Sequence, residues 1–267
     1  MSLVSGTVLL TGATGGIGQA IARALGARGA GLILTGRRTE VLSPLASELG
    51  ARMLSGDMSR REEVARLVRD AGEVDVVIAN AAARAGGLLT EFSQDEIDRL
   101  LEVNLHAPIA LARAVVPGMI ERRRGHIVLI SSLQGKAATP VASIYCAAKF
   151  GLRGFGLALR EDLRPYGVGV SVVLPGFIRD AGMFADSGAT LPSGVGTRPP
   201  EAVAAAVIGA IKRNRAEVEV APVGLRLGTA AAAVAPGVSA AVARRLGSDR
   251  IAARIVAGQR ARDGRTT

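Results

Sequence analysis

A chain of 267 residues that is 49% hydrophobic and 21% charged has the material for one large domain with its own core, which excludes a disordered chain. Aromatic residues make up 3% and tryptophan is absent, so the core has to be built from Ala, Val, Leu and Ile. The net charge of +10 raises nucleic-acid binding, but eleven basic residues against four acidic ones lie between 212 and 267, with no aromatic interleaving, so no nucleic-acid partner is expected.

Short β-branched runs alternate with amphipathic stretches along the chain. Strands are predicted at 7–10, 32–35, 52–54, 74–78, 126–130, 168–174 and 217–221. Helices are predicted between them at 17–28, 40–49, 60–71, 95–122, 143–164 and 200–213. This alternation predicts an α/β fold, a doubly wound parallel sheet of about seven strands with helices on both faces. The strands read as continuous apolar runs, as strands covered on both faces do. No linker divides residues 1–221, which are expected to form a single domain. The glycine-rich stretch 176–199 has no clear period, the pattern of a lid or binding loop.

Residues 222–267 are expected to form a basic, Ala-rich helical C-terminal extension, with helical patterns around 226–246 and 248–262 and a polar end that frays. Three uses stay open for it: a cap over a substrate pocket, a subunit contact, or a surface that visits an anionic membrane. Its apolar run at 229–243 is short and broken by Pro236 and Gly237, so no stable membrane insertion is expected. The N-terminus has no signal-like pattern, and the single cysteine, Cys146, allows no disulfide within the chain; both fit a cytoplasmic protein.

The turn TGATGGIG at 11–18 follows the first strand and opens the first helix. Glycines there let the backbone approach a ligand, and a helix N-terminus offers free N–H groups to a pyrophosphate. The spacing is G-x-x-x-G-x-G rather than G-x-G-x-x-G. Gly12, Thr14, Gly16, Ile17 and Gly18 are the cofactor-binding candidates of this turn. The second strand ends Leu34-Thr35-Gly36-Arg37-Arg38. No carboxylate is present to take a ribose 2′-hydroxyl, whereas Arg37 and Arg38 suit a 2′-phosphate, so NADP(H) is expected in preference to NAD(H).

In YCAAK at 145–149, helical i,i+4 spacing sets Tyr145 and Lys149 on one face. The chain holds only two tyrosines and three lysines, so the pairing draws attention. A phenol can give a proton to a carbonyl oxygen that gains hydride, and a nearby ammonium is expected to lower its pKa. Ser132 lies thirteen residues earlier at the end of the fifth predicted strand, where its hydroxyl can donate to a developing alkoxide. Ser131 beside it is the alternative, and either serine can instead cap the strand end.

TGATGGIG, Asp57 in SGDMS, ANAA at 79–82, Asn104 in EVNL, Ser132 in LISS, YCAAK, and PG at 175–176 occur in the order and spacing of the short-chain dehydrogenase/reductase family, which the chain resembles over residues 5–221. The resemblance implies a Rossmann-type sheet and hydride transfer between a nicotinamide cofactor and a carbonyl or secondary alcohol. It implies that Asp57 and the Met58 backbone hold the adenine, that Asn80, Ala81 and Ala82 line the cofactor, and that the backbone of Pro175, Gly176 and Ile178 meets the nicotinamide. It assigns catalysis to Ser132, Tyr145 and Lys149, gives Asn104 a water in a proton relay, and lets Tyr145 and Lys149 also touch the cofactor. It further implies a homodimer or homotetramer. On the residues alone, Asn104 can equally cap a helix.

Three features depart from the family pattern. Ala79 and Ala82 replace its Asn and Gly, Gly15 stands where many NADP-preferring members have a basic residue, and Asp180 lies near the slot of a carboxamide-binding Thr. Phe177, Met183, Phe184 and Leu191 suggest a hydrophobic substrate. His106 and His126 lack metal spacing, so no metal is expected. Glu62, Glu63, Glu161 and Asp162 read as solvated helix faces. A non-catalytic sensor or scaffold that binds cofactor on the same fold is the alternative reading.

Overall fold

The computed structural model describes residues 6–84, 86–191, 195–245 and 247–262. Its strands are β1 (Thr7–Leu10), β2 (Gly31–Gly36), β3 (Arg52–Ser55), β4 (Val76–Ala79), β5 (Gly125–Ile130), β6 (Val168–Pro175) and β7 (Glu217–Val220). They lie parallel in one sheet in the order β3-β2-β1-β4-β5-β6-β7. The helices around it are α1 (Gly16–Gly26), α2 (Thr39–Leu49), α3 (Arg61–Ala71), α4 (Gln94–Leu101), α5 (Ala107–Glu121), α6 (Ser143–Leu163), α7 (Gly182–Ser187) and α8 (Pro200–Arg213). The extension adds α9 (Val223–Val234), α10 (Pro236–Arg245) and α11 (Ser248–Arg262).

Successive strand residues point to opposite faces, so the sheet divides the core in two. Val8, Leu10, Ile78, Val128 and Val173 join Ile21 and Leu25 of α1 and Val203 and Val207 of α8 on one face. Leu9, Val77, Ile127, Leu129 and Val170 join Leu67 of α3, Leu111 of α5 and Leu152 of α6 on the other. With both faces covered, every residue of β5 and β6 is buried, which is why their sequences do not alternate. The strand order reverses between β1 and β4, and a crevice at their carboxyl ends is where such sheets bind ligands.

The helix expected at 95–122 is not uniform. It widens into a π-turn at Glu102–His106 between α4 and α5, and that turn carries Asn104. Such insertions are common at functional sites and barely disturb the apolar period. The 226–246 pattern splits into α9 and α10 at Pro236, which lacks the N–H a continuing helix needs. The 176–199 stretch is partly ordered: Ile178 pairs with Arg198 as an isolated parallel bridge, with α7 between them. At the β7 edge, Lys136 and Arg153 meet Glu217, and Lys136 and Arg226 meet Glu219, tying β7 to α6 and α9.

Candidate active site

The glycine turn is built by close approach. Gly12 has φ +65°, and a Cβ there would lie 2.8 Å from the Ala81 Cα. A Cβ on Gly18 would lie 2.2 Å from the Gly12 carbonyl oxygen. Asn80 staples this turn to β4. Its Nδ2 donates to the carbonyls of Thr11 and Gly12 at 3.1 Å each, while the Asn80 and Ala81 N–H groups donate to the Thr11 hydroxyl at 3.0 and 3.1 Å. Thr11 is thus a site-building residue that the sequence reading passed over, although it opens the glycine motif. Among the described residues no side chain caps α1, so the first N–H groups of the helix, from Gly16 to Gly18, are open to an anion. Ala82 does not adopt a positive φ, and its extra methyl is accommodated.

The two arginines after β2 are not equivalent. Arg38 donates to the Thr14 carbonyl at 2.6 Å and braces the turn. Arg37 is mostly exposed, and its nearest carboxylate, that of Asp57, is 3.8 Å away. Asp57 accepts from the Ser59 N–H at 2.9 Å, and its own N–H donates to Glu63 at 2.7 Å. Glu63 is therefore part of the site's frame and not simply a solvated face. Burial works against ionisation of Asp57, but the Ser59 hydrogen bonds and the charges of Arg37 and Arg99 outweigh it and hold the carboxyl below its usual pKa. The Met58 side chain is in the core.

Lys149 is 2% exposed, donates from Nζ to the Ile130 carbonyl at 3.0 Å, and sits 5.5 Å from the Tyr145 ring centroid. Burial lowers its pKa to about 8. Tyr145 behaves opposite to the sequence expectation. Burial pushes its phenol up to about 12, against a hydrogen bond with Ser132 that favours the phenolate, while Cys146 adds to the rise. The ammonium is seated against the ring and the Ile130 carbonyl, so desolvation dominates and the phenol stays protonated at neutral pH, the form a proton donor needs. The structure also separates the two serines. Ser131 is buried and donates to the Lys149 carbonyl at 2.9 Å, pinning β5 to α6. Ser132 stays partly open and accepts from the Gln134 N–H at 3.1 Å, so it caps a short turn while reaching Tyr145.

Asn104 does not cap a helix. It is buried, accepts from the Ala83 N–H at 3.2 Å, and donates to the Ala83 and Leu100 carbonyls at 3.0 and 2.9 Å, which binds the π-turn to the loop after β4. On the other wall, the Ser132 hydroxyl is 3.5 Å from the Pro175 carbonyl, and the Gly176 N–H donates to the Val220 carbonyl at 3.1 Å. The Ile178 side chain belongs to the core. Asp180, considered for the carboxamide contact, lies at the surface. Its exposed carboxylate pairs with Arg179 at 3.4 Å, and the residue borders a groove with Gln19 and Arg23 along the outer side of α1. Among the described residues no group of three His, Cys, Asp or Glu side chains could hold a metal ion.

The segment leading into α7 rests on the glycine turn, with Ala181 against Gly16 and Gly182 against Ile17. The Phe177 and Phe184 rings pack 5.0 Å apart. Helix α11 then seats on α7. Gln259 donates to the Met183 carbonyl at 3.4 Å, and Gly258 lies so close to the Ser187 carbonyl that no side chain would fit. Within the extension, α11 thus packs beside the loop that rests on the glycine turn. A lone glycine inside a helical pattern was the one sequence signal of this contact.

The family model for short chain dehydrogenases matches residues 6–191. The chain belongs to the short-chain dehydrogenase family. Among its relatives, ketoacyl reductase HetN of Nostoc is 36% identical over 226 residues, covering 81% of this chain and 79% of that protein. Dehydrogenase/reductase SDR family member 7B of Xenopus laevis is 35% identical over 242 residues, covering 82% and 75%. A solved short-chain dehydrogenase from Streptomyces avermitilis superposes with a TM-score of 0.77 at 25% identity, covering 92% of this chain and 98% of that one. Another, from Sphingobium yanoikuyae in complex with NADPH, has a TM-score of 0.74 at 29% identity, covering 80% and 87%.

As a short-chain dehydrogenase the chain is an oxidoreductase acting on carbonyl or alcohol groups of small molecules with a nicotinamide cofactor. The residues present fit that cofactor. The turn at Gly12–Gly18 has room only for bare backbone at its closest points, the start of α1 offers unpaired N–H groups, and a buried lysine lies at the end of β5.

Proposed function

We propose that this short-chain dehydrogenase uses NADP(H) to reduce a hydrophobic, ketoacyl-type carbonyl or to oxidise the matching secondary alcohol. The reading rests on one observation: the Tyr145 phenol lies beside both Ser132 and the buried Lys149 at the carboxyl end of the sheet. When bound, the nicotinamide supplies or accepts hydride. Tyr145 gives its proton to the substrate oxygen, and the Ser132 hydroxyl donates to the same oxygen. Lys149 spends one N–H on Ile130 and keeps two, for the nicotinamide ribose and for returning a proton to Tyr145. Asn104 holds the far end of that relay, in the role the family resemblance implies.

The preference for NADP(H) is supported by the exposed Arg37 guanidinium and by the missing carboxylate after β2. A hydrophobic substrate is supported by Phe177, Met183 and Phe184 around α7 and by the ketoacyl reductase name of the Nostoc relative. The exposed Phe150, one residue from Gly151 where α6 abuts Leu105, supports self-association into a homodimer or homotetramer. A lone buried cysteine supports a cytoplasmic setting.

Ketoacyl thioesters and hydrophobic ketones, assayed by NADPH absorbance, test the reading. Turnover with NADPH should exceed that with NADH by about tenfold or more, a gap of at least one decade in kcat/KM. Equal efficiency with the two cofactors overturns the NADP(H) assignment. Tight cofactor binding with no turnover on any hydrophobic carbonyl or alcohol favours a cofactor-binding sensor instead.

A further inference from the structure

Helices α9 and α10 hold an apolar surface that the fold does not use. Val223, Leu227 and Val234 recur at helical spacing along one side of α9, and Val238 and Val242 lie one turn apart on α10. Every one of the five is more than half exposed, and Val234, at the tip between the two helices, is 87% exposed. Only Thr229 of α9 is buried, and α10 has no buried residue. The helices pack on each other and are anchored to the body near the start of α9, through Arg226 to Glu219.

The charge beside this surface has one sign. Arg244, Arg245, Arg250 and Arg254 are exposed, and none has an ion-pair partner among the described residues. Asp249 is the one acidic residue from 222 to 262. Elsewhere several surface arginines are paired, as in Arg23 with Glu48 and Arg61 with Glu102. At 12 and 10 residues, α9 and α10 extend roughly 18 and 15 Å, too short to cross a hydrocarbon layer of about 30 Å but suited to lying within its interface.

We infer that the α9–α10 hairpin is a docking surface for an anionic lipid bilayer. The Val and Leu stripe enters the headgroup boundary and the unpaired arginines meet lipid phosphates. A second copy of the chain is a poorer occupant, because a two-fold contact through this face brings the same unpaired arginines together with almost no acid to offset them.

The full chain is tested by flotation with vesicles of phosphatidylcholine alone and of phosphatidylcholine with one third phosphatidylglycerol. Binding to the anionic vesicles should exceed binding to the neutral ones by about tenfold and weaken with added salt. Val234→Asp with Val238→Asp should remove most of that binding without changing the melting temperature, since neither side chain packs on the body. Arg244→Glu with Arg245→Glu should abolish the preference for phosphatidylglycerol. No flotation with anionic vesicles overturns the inference, as does equal flotation with both vesicles. If the paired aspartates lower the solution mass by light scattering and leave flotation unchanged, a second copy covers the face and the inference fails.

Discussion

Strands β5 and β6 carry a buried polar cluster at each end, and the two clusters behave differently. At the amino end, the His126 Nε2 is 2.8 Å from the Ser171 hydroxyl, which donates to the Arg215 carbonyl, while Arg160 donates to the Val170 carbonyl and to Asn214. Burial first and the Arg160 charge second lower the His126 pKa to about 4. At the carboxyl end, burial lowers the Lys149 pKa to about 8. A shifted pKa therefore marks both places. The difference is in unspent bonding. The amino-end hydroxyl, imidazole and guanidinium all have protein partners, whereas among the described residues Lys149 Nζ donates to the Ile130 carbonyl alone. Desolvation alone identifies a buried group; spare donors beside a crevice identify a working one.

Substitutions at the two ends should separate along that line. Tyr145→Phe should cost roughly 10³-fold in kcat, the range for loss of a positioned proton donor, with the melting temperature and cofactor affinity nearly unchanged. Retained turnover in steady-state assays would place the donor elsewhere and remove the distinction.

Lys149→Arg keeps the charge but replaces a compact ammonium with a planar fork in a closed space, and kcat should fall about 10²-fold. Lys149→Met probes the same residue through stability. The folded pKa of about 8 lies below the unfolded value, so the unfolded chain binds more protons between about 8 and 10.5 and the parent gains stability as pH rises through that window. Below it, the buried charge costs on the order of 3 kcal/mol, and Lys149→Met should be the more stable protein in denaturant melts at neutral pH.

At the amino end, His126 makes the parent lose stability as pH falls from about 6.5 towards 4, because the unfolded imidazole takes up a proton that the folded one refuses. The full effect is on the order of 3 kcal/mol. His126→Gln should flatten that acid limb in urea titrations and leave kcat at neutral pH unchanged. A matching drop in kcat would mean that the two clusters are coupled across the sheet. The smallest effect is expected from Arg37→Ala, which should weaken NADPH by about tenfold and leave NADH alone in calorimetric titrations, since the guanidinium stands at the surface and is loosely paired.

The sequence by itself carried the alternation of covered strands and helices, the glycine turn, the two arginines after β2 and the one-turn spacing of Tyr145 and Lys149. All of these are local: a period, a turn or a helical step is written within a few neighbouring residues. Only the tertiary structure decided the rest. Asn80 became a staple to Thr11 and Gly12, nearly seventy residues away. Asn104 became a clasp on Ala83 because a π-turn, nearly invisible to periodicity, brought it to the loop after β4. Arg38 was taken by Thr14, while Arg37 stayed at the surface, loosely paired with Asp57. The Tyr145 phenol rose instead of falling, because desolvation is set by everything packed around a group and not by the single charge one turn away. The extension divided in the same way. Composition could say that it was apolar and basic, but packing alone decided that α11 seats on α7 while the stripe on α9 and α10 stays open to solvent.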